Sequence, residues 1–256
     1  MFIFIATAVF IFGLLFGSFS NVLIYRIPRG ESIVFPPSHC PKCGARIKPY
    51  DNIPIISYIM LGGRCRSCHQ SISIRYPLVE LSVGLIFLLN FLLFGFSVNF
   101  ARFLLFMYSL FLLSATDILY MVIPDKISIP ALILGLIINL FHHMPIKLYI
   151  INFIIGTASG MIVIWLIMVI GKIIWKKEVM GSGDIFVMGI VGAYLGIYYI
   201  LPTLFWGALF GAVYGIVLIV RKKASRDSMI PFGPFLAAGA ITSLLTLPFI
   251  FKLLGL

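Results

Sequence analysis

Charged side chains are scarce in this sequence. Only 11% of the 256 residues are Asp, Glu, Lys or Arg, and 61% are hydrophobic, whereas a soluble domain carries about 25% charged residues. Acidic residues are the rarest, with 8 against 19 basic ones. This composition excludes an ordinary water-soluble domain. The net charge of +11 does not indicate nucleic-acid binding, because the basic residues form short clusters between long apolar runs, as in membrane proteins.

Long apolar runs take the place of the missing charges. A membrane span needs about 20 apolar residues. Residues 1–25 carry no charge and lack the basic start and small-residue cleavage site of a signal peptide, so we expect a retained span. The later runs predict seven more helices: 81–101, 103–116 extended to 123, 127–146, 148–171, two within 185–220 that turn near 199–202, and 229–251.

These runs predict an all-α integral membrane protein, an eight-transmembrane-helix bundle with a small zinc-binding module after its first helix. The expected parts are the first helix at residues 1–25, the module at 26–76 and a transmembrane core at 77–256. With the amino terminus outside, sixteen Lys and Arg residues fall on the inner side and three on the outer. The positive-inside rule therefore places the module and the chemistry in the cytoplasm, and both termini outside.

Two aspartates are expected at the inner face of the membrane. Residues 103–116 are too short to span it, and extending the helix to residue 123, before Pro124, brings Asp117 into its inner end. Asp184 follows two glycines and directly precedes another apolar run. Ionisable residues at membrane depth are costly and usually functional. The two carboxylates therefore lie on different helices at one face, where they could meet.

Two adjacent carboxylates share a proton, so that one activates water while the other protonates an amide, as in aspartic peptidases. Helix-end electrostatics predict that Asp117, near a carboxyl end, holds the shared proton more often than Asp184. Taken alone, Asp184 could be a helix cap, and Asp117 a structural or ion-pairing residue. A transporter site would have the same pattern. Asp125 is expected to cap the next helix.

The four cysteines form two Cys-x-x-Cys pairs, Cys40 with Cys43 and Cys65 with Cys68, separated by 21 residues. This arrangement is typical of a four-thiolate zinc site. Thiols stay reduced in the cytoplasm, which favours zinc over two disulfides. Because four cysteines complete a tetrahedron, the metal is expected to be structural, and the adjacent His39 and His69 are not expected to be ligands.

Taken together, these motifs resemble the type IV prepilin peptidase family, whose members are GxGD intramembrane aspartyl proteases. The resemblance covers nearly the whole chain, and the ordered set is far more specific than the GxGD motif alone. The matching segments are residues 17–28 (Gly-Ser-Phe-Ser-Asn-Val-Leu-Ile-Tyr-Arg-Ile-Pro), 40–43, 51–54 (Asp-Asn-Ile-Pro), 65–68, 75–80 (Arg-Tyr-Pro-Leu-Val-Glu), Asp117 with 123–125, 181–184 (Gly-Ser-Gly-Asp) and 231–235 (Pro-Phe-Gly-Pro-Phe).

The resemblance implies two reactions in the bacterial inner membrane. The first cleaves the leader of a type IV prepilin or pseudopilin after a glycine, in pilus or type II secretion systems, with Asp117 and Asp184 as catalytic residues. The second uses S-adenosylmethionine to methylate the new amino terminus. The resemblance also implies that the zinc-type module occurs in members that methylate and is missing from some that only cleave. The expected partners are this substrate and the lipid bilayer, without nucleic acid.

Two positions qualify the resemblance. The family often has Lys two residues after its second aspartate, where this chain has Phe186, so the dyad is expected to work in a less positive setting. Glu80 matches an acidic family position and is the candidate contact for the methyl donor, with a structural role as the alternative. A peptidase without methylation, and a transporter or zinc-organised assembly platform, are the competing functions.

Overall fold

The computed structural model describes residues 1–139, 146–176, 180–223, 225 and 228–254. Within these ranges the regular structure is helical, and extended pairing is limited to two isolated bridges. The α-helices of the described residues are α1 (Phe2–Arg26), α2 (Ile56–Met60), α3 (Arg75–Phe94), α4 (Val98–Tyr120), α5 (Asp125–Asn139), α6 (Ile146–Trp175), α7 (Asp184–Leu195), α8 (Ile200–Val220) and α9 (Gly233–Leu254).

Five helices in the described part of the chain are long and apolar enough to cross a membrane, namely α1, α3, α4, α6 and α8. Two further apolar stretches are shorter, Asp184–Leu195 and Gly233–Leu247. The prediction of an all-helical membrane protein is therefore confirmed, whereas the bundle of eight spans and the three-part division stay predictions. The predicted helix at 127–146 runs through residues 140–145, which lie outside the described residues, as do Lys177 and Arg226 of the basic clusters.

Helix boundaries read from charge differ from the structure at two turns. The sequence placed a boundary at Arg102, but α3 ends at Gly95 and Arg102 lies inside α4. The turn expected near 199–202 begins at Gly196. Both glycines have positive φ, +57° and +90°, a conformation that other residues adopt only with strain. Backbone geometry, rather than the nearest charge, therefore ends these helices.

The chain divides into two compact units, residues 1–104 and 105–256. In the first unit, α1 packs closely against α3. A methyl group added at Gly17 would lie 2.5 Å from the Cα of Glu80, and one added at Gly13 would lie 2.9 Å from the Cα of Gly84. Small residues let membrane helices approach backbone to backbone. This packing fixes the carboxyl-terminal half of α1 beside Glu80.

In the second unit, α7 packs against α6 through glycines. A methyl group at Gly156 would collide with the carbonyl of Gly192, and one at Gly160 with the carbonyl of Met188. The α7 side chains around these contacts are buried, including Val187, which is 1% exposed. Since Asp184 is the first residue of α7, the α6–α7 contact sets where that carboxylate lies.

Candidate active site and cysteine cluster

Asp117 lies in the last turn of α4. Its side chain is buried, with 6% exposed. Its Oδ2 accepts a hydrogen bond of 2.8 Å from the backbone N–H of Gly233, 116 residues further along the chain. A backbone N–H bonded to a carboxylate fixes the orientation of that group. Asp117 is therefore held toward the start of α9.

Asp184 opens α7 and is also buried, with 3% exposed. Its backbone N–H donates to the carbonyl of Gly181 at 3.1 Å, which closes a tight turn before the helix. Its Oδ1 is buried without a hydrogen-bond partner within the described residues. Buried polar atoms are rarely left unpaired. This oxygen is thus available to a bound molecule.

The side chain of Ile123 lies between the chain segments that hold the two aspartates. A methyl group at Gly183, the residue before Asp184, would collide with Ile123 Cβ, and one at Gly233 would lie 3.4 Å from Ile123 Cδ1. The Gly233 that bonds Asp117 and the Gly183 that precedes Asp184 thus border one isoleucine. The structure therefore brings the two aspartates of the sequence prediction together.

The two buried carboxylates lie on different helices, α4 and α7. The competing Asp125 is exposed at the first residue of α5, consistent with its predicted place at a helix start. Sequence reasoning missed Ile123 and Gly233 as neighbours of the aspartates. Both lie in motifs quoted above, but sequence spacing gives no sign that segments 116 residues apart touch.

The four cysteines form one cluster. Their Sγ atoms all lie within 4.8 Å of one another, and Cys40 Sγ is 3.9 Å from Cys68 Sγ. Tetrahedral zinc with Zn–S bonds of about 2.3 Å requires sulfurs about 3.8 Å apart, so the set fits a four-thiolate site. None of the four is in a disulfide. Among the described residues this metal-capable cluster contains no histidine. The cysteines could therefore hold a metal ion.

Each cysteine pair lies on the same kind of backbone turn. In the first pair, the Cys40 N–H donates to Ala45 O and the Gly44 N–H to Cys40 O, both at 2.9 Å. In the second pair, the Cys65 N–H donates to Gln70 O at 2.9 Å and the His69 N–H to Cys65 O at 3.0 Å. Gly44 and His69 occupy equivalent places with φ of +71° and +55°.

The surroundings of the cysteines favour the deprotonated form of Cys65 and disfavour that of Cys68. Hydrogen bonds from the backbone of Cys68, and then of Ser67, lower the pKa of Cys65 to about 7. The backbone N–H of Gln70 lowers the pKa of Cys68, but burial and the neighbouring thiols together outweigh it and raise that pKa to about 11. A metal that binds here must therefore displace protons.

An ion pair stabilises the same module beside the cysteines. Arg66 donates to both carboxylate oxygens of Asp51, with Nη2–Oδ1 at 2.6 Å and Nε–Oδ2 at 2.9 Å. The Arg66 hydrogen bonds lower the pKa of Asp51. Arg66 belongs to the second cysteine pair and Asp51 to the segment between the pairs. This ion pair therefore links the segment carrying Asp51 to the cluster.

Glu80 lies on α3 with 8% of its surface exposed. Its Oε2 accepts a 2.7 Å hydrogen bond from the backbone N–H of Ile55, and the Ser18 hydroxyl also bonds its carboxylate. Ile55 has φ of +61°, which is strained for a β-branched residue. Glu80 thus anchors α1 and the segment before α2, which is a structural role whether or not it also contacts a ligand.

Comparisons with known proteins bear on both parts of the chain. The model of the bacterial peptidase A24 N-terminal domain matches residues 11–94, and that of the type IV leader peptidase family matches residues 104–216. A prepilin leader peptidase/N-methyltransferase of Pseudomonas aeruginosa is 34% identical, over 91% of this chain and 87% of its own. The chain belongs to the type IV leader peptidase family. The predicted enzyme class is thereby confirmed.

Two other relatives carry the same name. The Stutzerimonas stutzeri protein is 35% identical over 92% of this chain and 88% of its own, and the Neisseria gonorrhoeae protein is 37% identical over 83% and 82%. A comparison with solved structures found no match. In this chain the two aspartates fall in the region matched by the leader peptidase model, and the four cysteines fall in the region matched by the N-terminal domain model.

Proposed function

We propose that the chain is an intramembrane aspartyl endopeptidase with Asp117 and Asp184 as its catalytic dyad. It removes the leader of type IV prepilins or pseudopilins after a glycine, at the cytoplasmic face of the bacterial inner membrane. The observation that carries the proposal is the placement of two buried carboxylates, one from α4 and one from α7, on either side of Ile123 and inside the region matched by the leader peptidase model. Relatives named as prepilin leader peptidases support the substrate.

The contacts of the two aspartates suggest which one acts as the general base and which one as the general acid. Asp117 Oδ2 already accepts the Gly233 N–H, which leaves its other oxygen to take a proton from the attacking water. Asp184 Oδ1 is buried and unpartnered within the described residues, where a protonated carboxyl donates its proton to the scissile carbonyl as water attacks. The proton that Asp117 takes from the water then passes to the leaving amine, and Asp184 regains its proton from the hydroxyl of the tetrahedral intermediate as the C–N bond breaks. This assignment is the opposite of the one predicted from helix ends, because a direct hydrogen bond acts at shorter range than a helix dipole.

Replacement of either aspartate tests this dyad. Asp117→Asn and Asp184→Asn keep the side-chain shape but remove the base or the acid, and each is expected to lower the cleavage rate by about 10³-fold or more. The measurement is the rate of leader removal from a purified prepilin, followed by mass. The matched control is Asp125→Asn, an exposed aspartate close to Asp117 in sequence, which should cleave at the wild-type rate.

A transporter or assembly platform predicts a different result. If both dyad variants cleave prepilin as fast as Asp125→Asn does, then neither carboxylate acts in the reaction and the proposal is wrong.

We further propose that the new amino terminus is methylated with S-adenosylmethionine as methyl donor. The support is the second activity in the names of the relatives and the presence of the cysteine module, which the resemblance associates with methylating members. When bound, the donor supplies a methyl group to the free amine, which must first lose a proton to become nucleophilic. A peptidase without methylation would give a cleaved product with an unmodified amine.

The cysteine cluster is proposed to hold one structural zinc ion. Four thiolates at tetrahedral spacing leave no open position, so zinc would fix the fold of the module rather than activate water. The purified protein is expected to contain about one zinc per chain by elemental analysis. Because binding must displace thiol protons, zinc affinity should rise with pH from mildly acidic to neutral conditions. Cys43→Ser should lower the zinc content, with His39→Ser as the matched control that keeps it.

A metal-free protein with an intact module, or an affinity that does not depend on pH, would contradict this account of the cysteines.

A further inference from the structure

A cavity of about 330 Å³ lies in the first unit, where the inner end of α1 meets the chain on either side of the first cysteine pair. Its α1 wall is built from residues spaced three or four apart, which places them on one helix face. Small-molecule sites usually measure about 300–1,000 Å³. Its lining includes Leu15, Ser18, Phe19, Val22, Arg26 and Asn52.

The polar groups of this cavity are held in place by buried contacts. Arg26 is 7% exposed, and its guanidinium donates to Ser32 O at 2.9 Å and to Pro36 O at 2.7 Å. A guanidinium has five N–H donors, so these two bonds do not exhaust it. The cavity therefore has a fixed cationic wall suited to a carboxylate.

Glu80 supports another wall of the cavity from behind. Its carboxylate bonds the hydroxyl of Ser18, which lines the cavity, and the N–H of Ile55, three residues after Asn52. Ile55 is held at φ of +61°, and such strain persists only where the surroundings enforce it and is often found at functional sites. The buried carboxyl group thus fixes the loop that carries Asn52 on the side of the cavity next to Ser18.

Resting on the methylation proposed above, we propose that this cavity is the binding site for S-adenosylmethionine. The molecule carries a carboxylate that matches Arg26, polar groups that match Ser18 and Asn52, and an adenine that matches the apolar surface of Phe19 and Val22. Glu80 acts as a positioning residue.

The division of the chain supports the same assignment. The cavity lies wholly within residues 11–94, matched by the N-terminal domain model, whereas both aspartates lie within residues 104–216, matched by the peptidase model. The relatives' names pair a peptidase with an N-methyltransferase. With the peptidase residues in the second unit, the donor site is expected in the first.

Filling the cavity tests the proposal directly. In Val22→Trp the indole would occupy the space expected for adenine, and the affinity for tritiated S-adenosylmethionine, measured by equilibrium dialysis of the full-length protein in detergent, should fall at least about tenfold. The matched control is Ile11→Trp, the same kind of change on an exposed residue of α1 about three turns away, which should bind as the wild type does. Asn52→Leu should weaken binding several-fold without changing the zinc content.

The possible outcomes distinguish the assignment of the donor site to this cavity from the proposal that the protein methylates its product. Weaker donor binding by Val22→Trp, with prepilin cleavage and zinc content retained, supports the site. If the wild type and Val22→Trp bind the donor equally, the cavity is not the site, although methylation still stands. If the wild type does not bind the donor at all, the methylation proposal fails and the cavity assignment fails with it.

Discussion

At the scale of single residues, the most demanding position near the dyad is Gly233. Its N–H bonds Asp117 Oδ2, and a methyl group added there would lie 2.9 Å from that oxygen. A carbon that close forces the carboxylate to move. Because glycine has no side chain, residue 233 can donate its N–H to Asp117 without displacing the carboxylate.

Gly233→Ala is expected to lower kcat for prepilin cleavage by about 10- to 100-fold with little change in KM, because a displacement below 1 Å in a catalytic group has effects of that order. The measurement is steady-state cleavage of a purified prepilin. Gly215→Ala is the matched control, since its added methyl would meet Ile230 at an ordinary 3.5 Å. An unchanged kcat for Gly233→Ala would show that Asp117 does not depend on this bond.

Residue types and spacing were sufficient to single out Asp117 and Asp184, which are both buried, and the four cysteines, which form one cluster. An aspartate beside a long apolar run is conspicuous in the sequence because an ionisable group is costly in a membrane. Two Cys-x-x-Cys pairs are equally conspicuous because their spacing is that of zinc ligands. The Gly233 contact could not be predicted in this way, because it depends on how α4 and α9 pack. The structural anchoring by Glu80 likewise depends on Ile55, whose unusual backbone has no local signal.

At the scale of helices, α7 is short and depends on α6 for its position. Its 12 residues fall below the length of about 20 that spans a membrane alone. The glycines of α6 allow the two backbones to touch. We therefore expect the position of Asp184 to be set by tertiary packing more than by the helix propensity of α7.

Gly160→Val should destabilise the protein by about 1–3 kcal/mol, because the added side chain overpacks the contact with the Met188 carbonyl. It should also slow prepilin cleavage by moving Asp184. Thermal unfolding in detergent and the cleavage rate are the two readouts. Ala158→Val, an exposed position on the same helix, is the control. Equal stability of the two variants would argue against close α6–α7 packing as the support of the dyad.

Helix existence was more predictable than helix limits. Apolar runs located α1 and α6 closely, since burial in lipid demands long apolar segments. The same charge-based reading misplaced the turn between α3 and α4, because an arginine in the first turns of a helix is tolerated near a membrane boundary. Glycine at positive φ was the better guide to where helices end.

At the scale of the whole molecule, the chain has two compact units, and each is matched by its own family model. The first holds the cysteine cluster and the cavity, and the second holds the aspartates. Composition predicted a membrane protein, the placement of charges predicted chemistry on one side, and the motifs predicted an enzyme, but none of these could show which unit performs which reaction. The two proposed activities are therefore expected to be separable by mutation.

Mass spectrometry of a prepilin incubated with the purified enzyme, with and without S-adenosylmethionine, tests the central claim most directly. Without the donor, the account predicts loss of the leader after a glycine and a free amino terminus. With the donor, it predicts the same cleavage and a product heavier by one methylene. A prepilin that keeps its full mass in both reactions, in the presence of enzyme containing zinc and both aspartates, would contradict the account.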